Sequence, residues 1–173
     1  MTLVVLSLGS NINREKNIGY AVREIRGRYG VLEVSPVYET SAVGFEGPPF
    51  YNLVVGFESR ESLPGIIRAI REMESGAGRV RGPKTFDSRV LDIDVILYGN
   101  ENWRGRGINV PRDEIERYAY VLKPLVDLYP GMIHPVLGIP FREMWDRFEP
   151  RGQTLFLAQY PLEEGVDGLP RQA

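Results

Sequence analysis

Cysteine is absent from the 173-residue chain, which excludes a disulfide framework, a thiolate zinc site and a cysteine nucleophile, and fits a reducing compartment such as the cytoplasm. Histidine is nearly absent too. The single one, His134, sits in the turn-like Met132-Ile133-His134-Pro135, far along the chain from any candidate catalytic group, so it reads as structural and no histidine base is expected. Positive charge is not in excess, with 21 Lys and Arg against 23 Asp and Glu, whereas a nucleic-acid domain carries the opposite balance. Long apolar runs are missing: all fall short of the roughly 18 residues that a membrane span requires. Met1-Thr2 leads straight into Leu3 to Leu8 without a basic leader or a small-residue cleavage pattern, so no signal peptide and no membrane partner are expected. Neither Gly-x-x-x-x-Gly-Lys-Ser/Thr nor Gly-x-Gly-x-x-Gly occurs, which removes the P-loop and Rossmann routes to nucleotide binding.

What remains is an ordinary globular composition, 43% hydrophobic and 25% charged, over a length that suits one domain. A chain of this size buries about two thirds or more of its unfolded surface, enough to stand without a disulfide or a structural metal. We expect a monomer with one domain over residues 1–150. From Arg151 to Ala173 the chain shows little periodicity and reads as a loosely held tail.

Leu3 to Leu8 reads as a buried strand ending in a turn at Gly9-Ser10-Asn11. Ile18, Ala21, Val22, Ile25 and Tyr29 fall on one helix face, with Gly30 as the stop. Val31 to Thr40, interrupted by Ser35-Pro36, predicts an extended edge segment, because proline cannot donate to a ladder. Gly44 to Pro49 is a loop, Phe50 to Ser59 a strand, and Leu63 to Met73 a second helix closed by Gly76-Ala77-Gly78. A basic loop from Arg79 to Arg89 precedes the strand Leu91 to Tyr98, and short helices are expected over Tyr118 to Leu128 and Phe141 to Phe148. This order predicts an α+β fold, the ferredoxin-like split βαβ sheet (βαββαβ) with helices on one face and additional C-terminal helices.

The strongest chemical signal is Asp92 and Asp94 in Leu91-Asp92-Ile93-Asp94-Val95-Ile96-Leu97. Residues two apart on a strand share a face, so the two carboxylates project together while Leu91, Ile93, Val95 and Leu97 take the other side. Paired anions on an apolar strand need a cation, and Mg²⁺, which keeps waters and substrate phosphates as its remaining ligands, is the natural one. The alternative has one aspartate facing solvent and the other paired with an arginine. Arg79, Arg81, Lys84 and Arg89 arrive just before the strand. Metal beside guanidinium groups is what phosphoryl transfer uses, since its catalysis is mostly positioning and charge neutralisation; a solvated basic face is the plainer reading.

Ser7-Leu8-Gly9-Ser10-Asn11 is a weak signal that helix capping by Asn11 or Asn13 would also explain. Phe45, Phe50, Phe86 and Tyr120 lie in or beside loops, where flat faces could sandwich a heterocycle, although most aromatics in a small domain are core. Asn52, polar within an apolar strand, offers the paired donor and acceptor that the edge of a flat heterocycle would match.

Together these segments resemble the 6-hydroxymethyl-7,8-dihydropterin pyrophosphokinase family from about Leu3 to about Gly138. The matching stretches are SLGSN at Ser7 to Asn11, SPVYETSAVG at Ser35 to Gly44, FYN at Phe50 to Asn52, GRVR at Gly78 to Arg81, SRVLDIDVILYG at Ser88 to Gly99, and VPRDEIERYAYVLKPL at Val110 to Leu125. RVLDID, Arg89 to Asp94, is the most specific of them. The resemblance implies two Mg²⁺ ions held by Asp92 and Asp94, with ATP as co-substrate and AMP released as its pyrophosphate passes to the pterin alcohol. It implies that Arg79 and Arg89 neutralise the transferring group. Thr40, Ser41, Val43, Gly44 and Asn52 would line the pterin pocket, with Phe50 and Tyr120 stacking on the ring and Phe86 closing over it. Arg71, Glu74, Arg81, Ile93, Arg112 and Arg117 would serve the ATP side.

The chain also departs from the family pattern. Phe86-Asp87-Ser88 stands where a tryptophan and Gly-Pro are frequent, Arg112 where a histidine is usual, and Tyr118 where an arginine precedes the stacking aromatic, with Arg117 one position early. Two other readings stay open: a related kinase for a modified pterin, and an RNA-binding module, since split βαβ sheets also carry RNA on strand aromatics.

Overall fold

Val4, Leu6 and Leu8 alternate with Val5 along β1 (Thr2–Ser10), and all four are fully buried. This strand therefore packs on both faces. In the computed structural model, which describes residues 1–41, 46–78 and 90–160, it is flanked by β4 (Phe50–Ser59) and β5 (Asp92–Tyr98), both antiparallel to it. It runs two residues past the turn expected after Leu8, because Gly9 and Ser10 keep their pairing with Asn52 and Tyr51.

The helices α1 (Arg14–Tyr29) and α2 (Leu63–Gly76) follow the predicted apolar spacing. Ile18, Val22 and Ile25 of α1 and Ile66, Ile70 and Met73 of α2 pack on Val4, Leu6, Leu8, Leu53, Val55, Ile93 and Val95. Burying each such side chain contributes roughly 1.5–3 kcal/mol. Ser62 caps α2 by accepting the Gly65 N–H at 3.3 Å. The asparagine caps expected on α1 do not form. Asn13 takes a left-handed backbone without a side-chain cap, a conformation asparagine tolerates better than most residues, and Asn11 Nδ2 instead donates to the Pro48 carbonyl at 3.1 Å.

Helices cover both faces of the sheet, where the sequence suggested one. Val5, Val54, Ile96 and Leu97 pack against α3 (Glu114–Arg117), α4 (Ala119–Leu128) and α5 (Phe141–Asp146), through residues that include Ile115, Leu122, Leu125 and Phe141. Leu97 lies on this second face with Ile96, contrary to the simple alternation. The register shifts between Val5 and Leu6, which face Leu97 and Val95; one extra residue on β5 inverts the parity beyond it. The faces of Asp92 and Asp94, before that irregularity, are as expected.

Val31 to Thr40 divides into β2 (Glu33–Val34) and β3 (Tyr38–Thr40), both paired with β4. β3 is not the sheet edge, because β6 (Phe156–Leu157) pairs with it; the strand order is β5-β1-β4-β3-β6, with β2 also on β4. Residues 151–160, expected to be loosely held, thus bind the domain. Gln153 accepts the Ala119 N–H and donates to the Arg117 carbonyl, both at 2.9 Å, and Ala158 N donates to Val37 O at 2.9 Å. Among the described residues no helix is long and apolar enough to cross a membrane.

Candidate functional site

Register alone assembles the site. Gly9 of β1 stands opposite Asn52 of β4 on one side and Asp92 of β5 on the other, and Asn52 in turn faces Tyr38 of β3. Directly paired residues share a face, so Asp92, Gly9, Asn52 and Tyr38 form one row across four strands. Asp94 and Ser7 form the adjacent row with Val54, and Thr40 pairs with Phe50 beyond Asn52. All lie on the face covered by α4, which carries Tyr120.

Gly9 is the gap in this row. A Cβ there would lie 3.1 Å from Asn52 Oδ1 and 3.9 Å from Phe50 Cδ1, so glycine keeps the floor open between the acid and the amide. Two strand spacings, about 10 Å, separate the backbones of Asp92 and Asn52. Sequence reading took Gly9 for a turn residue and missed this role; carrying the two-residue alternation two positions further would have found it.

At the amide end, Asn52 Nδ2 donates to Thr40 Oγ1 at 3.0 Å, with both residues buried. That bond fixes the orientation of the amide plane. Tyr38 donates to the Asp127 carboxylate of α4, tying β3 to the covering helix. Ser41 and Thr40 border a shallow cleft of about 430 Å³, which Phe156 of β6 also lines. Tyr120 stacks on Tyr118 at a centroid distance of 5.0 Å and 18°. Burial, followed by the influence of Glu114, Tyr118, Asp92 and Asp94, pushes the Tyr120 hydroxyl above the ordinary phenol range, so it stays a neutral donor.

At the acidic end, Arg112 Nη1 lies 3.4 Å from Asp94 Oδ1, and Arg112 Nη2 donates to Glu114 Oε1 at 2.6 Å. Burial opposes the arginine's charge, but Asp94, Glu114 and, more weakly, Asp92 outweigh it and raise its pKa above that of a free arginine. The alternative of an aspartate–arginine pair is therefore partly realised, with an arginine the sequence assigned to ATP. Glu74 is buried, and its Oε2 accepts the Ile93 N–H at 3.1 Å, joining two residues also expected near ATP. Arg71 is on the exposed side of α2. Arg117 pairs with Asp113 at 3.0 Å and lies over the Tyr118 ring. Val43, Gly44, Arg79, Arg81, Phe86 and Arg89 lie outside the described residues.

Asp92 and Asp94 supply hard oxygen donors on one face, and among the described residues no group of three or more His, Cys, Asp or Glu is placed to form a closed metal cage. Two carboxylates on one face fit Mg²⁺, which retains water and takes substrate phosphate oxygens as further ligands. His134 is fully buried, and its Nδ1 accepts the N–H groups of Val136 and Leu137 at 3.1 Å each. This agrees with the structural role expected for it.

The sequence pattern of the 7,8-dihydro-6-hydroxymethylpterin-pyrophosphokinase (HPPK) family matches residues 5–130. The 2-amino-4-hydroxy-6-hydroxymethyldihydropteridine pyrophosphokinase of Aquifex aeolicus is 31% identical over 145 residues, covering 83% of this chain and 90% of that protein. The folic acid synthesis protein fol1 of Schizosaccharomyces pombe is 31% identical over 162 residues, 89% of this chain but only 21% of its own length. The chain thus spans about a fifth of that longer relative. Among solved structures, a triple mutant of Plasmodium falciparum HPPK-DHPS with pteroate superposes with a TM-score of 0.67 at 14% identity, covering 87% of this chain and 44% of that one. That likeness speaks for the fold.

Proposed function

The chain belongs to the 7,8-dihydro-6-hydroxymethylpterin-pyrophosphokinase family, and we propose that it transfers the pyrophosphate of ATP to the hydroxymethyl group of 6-hydroxymethyl-7,8-dihydropterin in folate biosynthesis. The observation that carries this reading is the row Asp92, Gly9, Asn52. Its acidic end suits metal and phosphates, its amide end suits a flat heterocycle edge, and the glycine between them leaves room for the alcohol that joins the two. The strand order β5-β1-β4-β3, with α1 and α2 in the crossovers, supports the finer description of the sheet as a ferredoxin-like split βαβ.

In the reaction the pterin alcohol oxygen bonds to the β-phosphorus of ATP, the bond from that phosphorus to the bridging oxygen breaks, AMP leaves, and the alcohol proton passes to solvent. Asp92 and Asp94 would hold the two Mg²⁺ ions, which would supply charge neutralisation to the phosphates when bound. Asn52, fixed by Thr40, orients the pterin ring so that its side chain points along the glycine floor; Ser41, Val43 and Gly44 complete the pocket. Phe50 and Tyr120 stack on the ring, with Phe86 over it, and excluding water there strengthens each polar contact. Arg79 and Arg89 neutralise the transferred group, and Arg71, Glu74, Arg81, Ile93, Arg112 and Arg117 surround ATP. Positioning and charge carry the catalysis, and no histidine base is involved.

Incubation with ATP, Mg²⁺ and the hydroxymethyl dihydropterin should yield AMP and the pterin diphosphate in equal amounts. ADP in place of AMP, or faster turnover of another pterin alcohol, would overturn the assignment.

A further inference from the structure

Arg112 sits against the acidic pair as a fixed cation. Its Nη1 is 3.4 Å from Asp94 Oδ1 while its Nη2 is bound to Glu114 at 2.6 Å. Its main-chain N–H donates to the Ile96 carbonyl at 3.0 Å, which anchors the residue to the strand that carries the aspartates. The side chain is 13% exposed against 25% for Asp94, so solvent screens the pair poorly. Arg112 Nε is buried without a hydrogen-bond partner among the described residues, so carboxylates on its terminal nitrogens set the orientation of the guanidinium.

We propose that Arg112 is a positioning residue that serves as a resident counter-ion of Asp94, keeping free divalent ions off the acidic pair and releasing the carboxylate only to a metal that arrives with nucleotide phosphates. This rests on the metal reading above. A free ion approaching Asp94 meets a guanidinium that it cannot expel, because Glu114 and the main chain hold Arg112 in place. Like charges so close in a poorly screened site repel strongly. A metal–nucleotide complex differs in one respect. Its phosphate oxygens can take the place beside Nη1 that Asp94 gives up, and arginine's planar fork serves Glu114 and a phosphate at once. Among the described residues the charged groups that act on Arg112 are Asp94, Glu114 and Asp92, and a phosphate taking the place of Asp94 keeps that charge matched. The acidic pair thereby becomes selective for the complex over the ion.

The test measures Mn²⁺ binding by electron paramagnetic resonance on the full chain, with and without a nonhydrolysable ATP analogue. The wild type should bind Mn²⁺ alone weakly and gain at least about tenfold when nucleotide is added. Arg112→Met should bind Mn²⁺ alone about tenfold or more tightly than the wild type, and nucleotide should then add less. Arg112→Lys, which keeps the charge, should stay near the wild type; a purely packing role would give Lys and Met similar effects. If the methionine variant does not fold, Arg112→Gln, which retains donors toward both carboxylates, is read the same way. Equal affinity of wild type and neutral variants for free Mn²⁺, with nucleotide-dependent binding intact in both, would overturn the proposal and leave the metal site standing. Failure of the wild type to bind Mn²⁺ even with the nucleotide would remove the metal site and the proposal together.

Discussion

Glu74 Oε2 accepts the main-chain N–H of Ile93 at 3.1 Å, so the residue between the two aspartates is held by a buried carboxylate of α2. β5 ends the strand order of the sheet among the described residues, and an edge N–H left buried without an acceptor would be costly. Glu74 is therefore a brace for the acidic strand. Glu74→Ala should lower stability by about 1–3 kcal/mol and slow transfer, while Glu74→Gln, which keeps an acceptor, should retain most of both. Urea unfolding and AMP release measure the two effects, and an alanine variant as stable as the wild type would show the brace to be dispensable.

Asp92 and Asp94 flank that braced residue on the open face. Asp92→Asn or Asp94→Asn keeps the size and removes the charge, and each should cut kcat/KM by more than the roughly 10- to 100-fold lost when only a ligand's supporting partner is removed. Circular dichroism should show the fold intact. Near-normal turnover in either variant would take that carboxylate out of the reaction.

The strands and the two long helices were legible because their apolar periods match what they bury: Ile18, Val22 and Ile25 all face the first core cluster. The shared face of Asp92 and Asp94 followed from the same alternation. What escaped has definite causes. Leu97 changed face because β5 gains one residue against β1, and a bulge leaves no mark in a pattern of hydrophobic residues. Gly9 looked like a turn because glycine usually breaks strands, whereas here its missing side chain forms the floor of the site. The pair between Arg112 and Asp94 joins segments that only the tertiary fold brings together.

Alanine at Gly9 would place its Cβ 3.1 Å from Asn52 Oδ1. The amide must then shift by a few tenths of an ångström, which disturbs its bond from Nδ2 to Thr40. Gly9→Ala should raise KM for the pterin by about 2- to 13-fold, the equivalent of one hydrogen bond, with a smaller change in KM for ATP. Equal effects on both substrates would argue against Gly9 as the floor of the pterin end.

Gly56 performs a purely structural version of the same service. A Cβ at Gly56 would fall 1.8 Å from the Tyr129 hydroxyl oxygen and 2.9 Å from Cζ, so the ring must move and its bond to Glu33 at 3.1 Å must break. Gly56→Ala should cost about 1–3 kcal/mol of stability. Tyr129→Phe removes the closest clash and should recover part of that loss in the double variant. Additive losses in urea unfolding would show that the two residues do not interact.

His134 should make the domain sensitive to acid without entering the chemistry. Burial is the main force lowering its pKa below the usual value; Glu116, 3.3 Å from Nε2, opposes this, and Arg104, which holds Glu116 at 2.9 Å, supports it. Because Nδ1 already accepts the N–H groups of Val136 and Leu137, a proton on it would displace both bonds. Above the ordinary histidine pKa of about 6.5 the ring is neutral in folded and unfolded chains alike, and it adds no pH dependence. As the pH falls below that value the unfolded chain takes up the proton first. Stability should then decline by about 1.4 kcal/mol per pH unit until the lowered native pKa is reached. His134→Gln removes the titrating group, so the difference in unfolding free energy between variant and wild type should narrow from pH 7 to pH 5. Parallel curves over that range would mean that His134 does not carry this linkage.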